Sequence, residues 1–109
     1  MTRVAAIDCG TNSVRLLIAE GLGGGVREVE RDLHLTRLGQ GVDATGEFHP
    51  DALRRTFAAL DDFAGRLVRR GVQRLRFVAT SAARDAANRE EFFTGVTQRL
   101  GVEPEIISG

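Results

Sequence analysis

The chain has 109 residues, enough for one compact domain with a modest core. Fifteen arginines balance fifteen acidic residues and lysine is absent, which excludes a Walker-type lysine loop and Schiff-base chemistry and gives no charge-based reason to expect nucleic acid or an anionic membrane as partner. No apolar run approaches the ~18 residues of a membrane span, no secretory signal layout opens the chain, and a lone cysteine, Cys9, cannot form an internal disulfide; a cytoplasmic setting is expected.

Val4–Ile7 is a short apolar run and predicts a buried strand. Val14–Ala19 is a second, interrupted only by Arg15. The glycine-rich stretch Gly21–Gly25 predicts a turn. From Val26 to Leu35 the sequence VREVERDLHL alternates roughly in period two, suiting a strand near a sheet edge with one wet face. Three strands with short connections predict an antiparallel meander. RLGQGVDATGEFH (Arg37–His49) has no periodicity and is expected to be a loop.

Pro50 suits a first helical position, and Leu53, Phe57, Leu60, Ala64 and Leu67 step by four and three through a helix that Gly71 ends. Leu75–Thr80 predicts a fourth strand. Asn88-Arg-Glu-Glu91 reads as a capping box opening a helix through Phe92, Val96 and Leu100 to Gly101, and Val102–Ser108 as a fifth strand. The order βββαβαβ predicts an α/β fold: a mixed five-stranded sheet with strands one, four and five parallel and helices on its faces. Ligands gather at the carboxyl ends of such strands, here Asp8–Ser13, Thr80–Arg84 and Ser108–Gly109.

The turn Asp8-Cys-Gly-Thr-Asn-Ser13 carries the chemistry. Gly10 allows a tight turn and close approach of a ligand to the backbone. Amides and side chains of Thr11, Asn12 and Ser13 can donate to an anion. Asp8 is a hard oxygen donor suited to hydrated Mg²⁺, and Arg15 can hold a phosphate with two parallel bonds. A plain hairpin turn is the competing reading. It is disfavoured by an arginine set in an apolar strand, where burial without a partner is costly. Thr80 or Ser81 can cap a short helical turn facing the cleft, with Arg84 one turn on; a capped helix with a solvated arginine is the alternative. Cys9 reads as a small buried hydrophobe, since no base is adjacent. His34 and His49 join no ligand cluster in the sequence and are expected on the surface.

The stretch AIDCGTNSVRLLIAE (Ala6–Glu20) closely resembles the first phosphate loop of the exopolyphosphatase/guanosine pentaphosphate phosphohydrolase family, of the actin, sugar kinase and chaperone superfamily, with its ribonuclease H-like fold. Asn12-Ser13-x-Arg15-Leu16-Leu17 points to this family rather than the superfamily. Arg37–Phe48, Ala79–Asn88 and Ile106–Gly109 resemble further family segments in the same order. The resemblance implies Mg²⁺-dependent release of terminal phosphate from inorganic polyphosphate or guanosine pentaphosphate. It implies phosphate binding by Gly10, Thr11, Asn12, Ser13 and Arg15, a metal or its water positioned by Asp8, and Arg84 near the catalytic centre.

The family pattern continues beyond Gly109 into a helix bearing a glutamate general base and a second domain with another phosphate loop. Residues 1–109 therefore read as an N-terminal phosphate-binding domain, truncated and inactive alone. The alternatives are a non-catalytic phosphate- or nucleotide-binding module and a kinase-type ATPase domain of the same superfamily. With few helices to cover the sheet and a fifth strand at its edge, self-association or pairing with the missing second domain is expected.

Overall fold

The computed structural model describes residues 2–107. Strands β1 (Thr2–Cys9), β2 (Ser13–Leu22) and β3 (Gly25–Leu35) come first. They are followed by α1 (Val42–Thr45), α2 (Pro50–Arg69), β4 (Arg74–Thr80), α3 (Ser81–Asp85), α4 (Arg89–Leu100) and β5 (Glu105–Ile107). The strands form one five-stranded sheet in the order β3-β2-β1-β4-β5. Pairs joined by short turns, β1–β2 and β2–β3, are antiparallel; β1–β4 and β4–β5, joined through helices, are parallel. This is the expected mixed α/β sheet, with β1 at its centre and β5 at one edge. The end of the fifth strand expected at Ser108, and the polar end Ser108–Gly109, lie outside the described residues.

Side chains alternate across a strand, so the pattern of burial shows which face is covered. Ala5, Ile7 and Cys9 of β1 and Val14, Leu16 and Ile18 of β2 are buried, while their neighbours Ala6, Asp8, Arg15 and Leu17 are exposed. Helices α2 and α4 pack against each other and contribute to one core on that single face. Phe77 of β4 meets Phe92 of α4, which also meets Phe48. A Cβ at Gly95 would fall 2.3 Å from Cζ of Phe57, so the two helices approach this closely only because position 95 carries no side chain.

The opposite face lacks a layer among the described residues. Val4, Leu17 and Leu33 are 38%, 37% and 45% exposed there.

Several local expectations are corrected. The stretch after β3 is not wholly a loop, because Val42–Thr45 forms the short helix α1 between Gly41 and Gly46. The buried side of α2 is Ala52, Leu53, Thr56, Ala59, Leu60 and Phe63, while Phe57, Ala64 and Leu67 are only half-buried. The helix touches both the sheet and α4, so its apolar stripe is broader than a four-three step and is rotated toward Phe63. Asn88 does not close a capping box: its side chain accepts from the Phe48 N–H (2.8 Å) and donates to the Phe48 carbonyl (3.1 Å).

Charged groups tie the long β2–β3 hairpin to its neighbours. Glu20, 2% exposed, accepts from Arg27 (2.6 Å) and lies 3.5 Å from Arg3. The Arg27 hydrogen bond leads in holding its carboxyl below the ordinary range despite burial. On α2, Arg66 reaches Glu30 (2.9 Å), Asp32 (2.8 Å) and Asp62 (3.1 Å), and Arg70 adds a second bond to Glu30 (2.8 Å).

Candidate functional site

The turn between β1 and β2 sits at the carboxyl end of the central strand. The Gly10 N–H donates to the Ser13 carbonyl (2.9 Å) and closes it. Gly10 has no positive φ, and a Cβ there would make only ordinary contact with Ser13 at 3.6 Å. The backbone conformation itself therefore does not require glycine at position 10, and its bareness matters only for what approaches from outside.

The turn is braced by a strap that follows β3. The Asn12 carbonyl accepts from the N–H groups of Thr36 (3.1 Å) and Arg37 (3.0 Å), and the Thr11 carbonyl accepts from Gly39 (2.9 Å). A Cβ at Gly39 would lie 3.1 Å from Cβ of Thr11, so this close approach favours glycine there. Arg37 adopts φ 51°, a left-handed conformation uncommon for a residue with a side chain. Arg55 of α2 donates to the Thr36 carbonyl (2.9 Å) and holds the strap from behind.

With their carbonyls committed to the strap, Thr11 and Asn12 have backbone N–H groups with no intramolecular partner among the described residues. The exposed side chains of Thr11 and Asn12 are likewise uncommitted there. Two free amides side by side, with hydroxyl and amide donors beside them, make an anion-binding concavity.

The register places Asp8 directly opposite Arg15. Both lie on the open face of the sheet, lining a recess of about 330 Å³ together with Arg31, Asp32 and Leu33. Arg15 is exposed, so the burial cost that weighed against a plain hairpin turn does not arise. Val14, Leu16 and Ile18 turn to the core, and Arg15 stands with Leu17 on the other face. Among the described residues its guanidinium makes no ion pair, and Asp8 meets no arginine within ion-pair distance. A free cation and a free carboxylate thus flank the free amides.

The parallel register brings the second polar segment to the same edge. Cys9 lies beside Ala79, and Thr80 and Ala83 join Cys9, Gly10, Thr11 and Gly39 around a void of about 10 Å³. Thr80 occupies the N-cap position of α3 without a side-chain capping bond. The alternative Ser81 cap rests on a side chain outside the described set. Arg84 is exposed, and its ion-pair neighbour is Asp85 at 3.7 Å rather than any group of the turn. Cys9 is 1% exposed, and burial, reinforced by the nearby Asp8 charge, pushes its thiol up to about 12; it is no nucleophile.

His34 is not solitary as expected. Its Nε2 lies 3.2 Å from Asp62 and 3.6 Å from Asp32, and the three residues could enclose a cation. Arg66 already bonds the oxygens of both aspartates that face His34, so the place is held by a guanidinium. His49 caps α2, its Nδ1 accepting from the Asp51 N–H (3.0 Å). A recess of about 470 Å³ between α4 and the segment leading into β5 is lined by Glu90 and Glu103 and is ill suited to phosphate.

Residues 17–109 match the Ppx/GppA phosphatase family. The chain belongs to that family. It is 52% identical to "Exopolyphosphatase 2" of Mycobacterium tuberculosis, over 100% of this chain and 37% of the relative. It is 34% identical to the "Guanosine-5'-triphosphate,3'-diphosphate pyrophosphatase" of Vibrio cholerae, over 96% of this chain and 21% of that protein. The crystal structure of the Aquifex aeolicus Ppx/GppA family member superposes with a TM-score of 0.93 at 36% identity, covering 98% of this chain and 35% of that one. The mixed sheet is the N-terminal fold of Ppx/GppA proteins, and the chain spans roughly a third of the length of the M. tuberculosis and A. aeolicus proteins.

Proposed function

We propose that residues 1–109 are the N-terminal phosphate-binding domain of a Ppx/GppA phosphohydrolase that releases terminal phosphate from inorganic polyphosphate or guanosine pentaphosphate. The carrying observation is the pair of adjacent amides at Thr11 and Asn12, which have no partner among the described residues while the strap takes their carbonyls. Gly10 to Ser13 bind a phosphate through backbone and side-chain donors, and Arg15 adds a two-pronged contact from the open face. Asp8 is an exposed carboxylate with no ion-pair partner among the described residues, a donor that fits hydrated Mg²⁺ better than the Arg66-filled His34 cluster does. When bound there, Mg²⁺ supplies neutralising charge to phosphate oxygens. Arg84, exposed and 3.7 Å from Asp85, is the residue that the family resemblance sets near the reacting phosphate. A buried free thiol at Cys9 suits a reducing cytoplasm.

Phosphoryl transfer needs charge stabilisation from more than one side, so the 109-residue chain is expected to bind polyphosphate without turning it over. A longer polypeptide containing it is expected to hydrolyse polyphosphate or guanosine pentaphosphate. Phosphate release with Mg²⁺ from both proteins checks this. Turnover by the short chain within about tenfold of the longer one, ~1.4 kcal/mol in barrier, would overturn it. In the longer protein, Arg15→Ala is expected to lower kcat/KM by about 100-fold or more, ~2.7 kcal/mol, while leaving the melting temperature within a degree or two, because Arg15 is exposed and makes no ion pair among the described residues. A melting drop with unchanged kinetics would assign Arg15 to the fold instead.

A further inference from the structure

The sheet has two edges, and they are unlike. β5 offers only three described residues; β3 offers eleven, from Gly25 to Leu35. Along β3, Val26 is 78% exposed, Leu33 45% and Leu35 68%. We propose that β3 is a self-pairing edge: two copies of the chain join antiparallel through it into one continuous ten-stranded sheet, with Val26 opposite Leu33 and Glu28 opposite Arg31 of the second copy.

The ladder alternation sets which backbone groups are available. The Gly23–Gly24 turn closes on the Leu22–Gly25 pair, and a two-residue hairpin turn closes on a hydrogen-bonded pair. Counting from there, Arg27 bonds to β2, while Val26 and Glu28 turn their N–H and C=O outward. The register then slips between Ile18 and Ala19, leaving Val29 as an extra residue, so that Glu30 bonds inward and Arg31 and Leu33 turn outward. The Leu33 N–H is free of β2: it is taken by its neighbour's carboxylate, Asp32 Oδ1, at 2.7 Å. A partner strand would replace that local bond with a ladder bond.

The same slip solves a problem of faces. In a regular strand, a two-fold pairing in which Glu28 faces Arg31 would set an upward side chain against a downward one. With the extra residue at Val29, Val26, Glu28, Arg31 and Leu33 all stand on the open face of the sheet, opposite Gly21, Ala19, Leu17 and Arg15. The two-fold therefore matches faces and outward backbone groups together.

It also matches charge. Glu28 and Arg31 already bond each other within one copy (2.6 Å), and pairing two such couples head to tail makes a four-residue ring of alternating sign. On the covered face the same two-fold sets Arg27 opposite Asp32. Shifting by one residue in one direction puts Arg27 against Arg31 and Glu28 against Glu30; in the other it puts Glu28 against Asp32. Like charges directly opposite are destabilising, so the neighbouring registers are disfavoured. Charges on an exposed edge ordinarily prevent pairing. Here their order makes one pairing complementary. The contact is a strand edge only, below the roughly 1,200 Å² of a stable interface, so the dimer is weak and concentration-dependent.

Sedimentation equilibrium of the 109-residue chain across concentrations tests this, with folding of each variant checked by circular dichroism. A monomer–dimer equilibrium is expected. Glu28→Arg alone, and Arg31→Glu alone, are expected to weaken it by about tenfold or more, since each sets like charges opposite twice. The double variant Glu28→Arg/Arg31→Glu is expected to restore it, because the ring is rebuilt with signs exchanged. Val4→Glu, on the open face of β1 two strands from the edge, is expected to leave it unchanged. A monomer up to ~1 mM, a dimer insensitive to both single reversals, one abolished by Val4→Glu, or failure of the double variant to recover would each overturn the proposal.

Discussion

Phe63→Ala is expected to lower the unfolding free energy by about 3–5 kcal/mol, a large share of the ~5–15 kcal/mol that a domain possesses. Phe63 is completely buried on α2, within the single core of the molecule, and its ring lies 5.3 Å from that of His34 on β3. Removing the ring takes away apolar burial and leaves a cavity that cannot collapse readily, since the sheet stands on one side and α4 braces the helix on the other. His34 would also lose the surface against which it rests while it bonds Asp62. Urea unfolding of wild type and variant, fitted with a shared slope, measures the difference. A loss under about 1 kcal/mol would show that α2 tolerates a hole beneath it and that the core is centred elsewhere.

Arg66→Met is expected to cost about 1–3 kcal/mol at neutral pH, and the cost should shrink in acid. The side chain of Arg66 is 28% exposed, and its guanidinium holds three carboxylates at once, Glu30 and Asp32 from β3 and Asp62 from its own helix. Methionine keeps much of the apolar stem but leaves these carboxylates facing one another. Two of the three are held below their ordinary range. Glu30 is lowered first by the Arg70 hydrogen bond and then by Arg66. Burial pushes Asp62 up, and the His34 and Arg66 contacts more than offset it. A lowered folded-state value means stability that is present above the unfolded carboxylate range near ~4 and is lost as pH falls through the folded values. The gap in melting temperature between wild type and variant should therefore be full at pH 7 and close at pH 3. A gap that stays constant across that range would mean that Arg66 acts by packing alone.

The sheet itself was legible because its signals are local. Short turns after β1 and β2 predicted antiparallel pairs, and helices before β4 and β5 predicted parallel ones. Pro50 marked the helix start. The candidate site was legible in outline, since strand polarity alone sends the Asp8–Ser13 turn and the Thr80 segment to one edge. The missing detail lay in contacts between distant residues. The burial cost argued for Arg15 rested on Val14–Ala19 reading as one apolar run; the run is buried on alternate residues only, as helices cover one face. Asn88 is an ordinary capping residue type, and nothing near it in sequence announces that its partner is the peptide at Phe48. His34 gains its carboxylate neighbour from α2 across the sheet. The strap from Thr36 to Gly39 lies in a stretch without periodicity, where only the glycines hint at close backbone approach.

The placement of β1 between β2 and β4 has a kinetic side. Its contacts with β2 are closed by a three-residue turn, whereas its contacts with β4 pair Ala5 with Leu75 and must wait for β3 and α2 to be threaded between. Closing the longer loop costs more chain entropy before any contact rewards it. The meander of the first three strands is thus the natural folding nucleus, with β4 and β5 added as late arrivals. The turn Gly10–Asn12 then lies at the start of the folding route as well as at the phosphate site. Any change to it that improves a ligand's grip is at the same time a change to the speed with which the chain finds its shape.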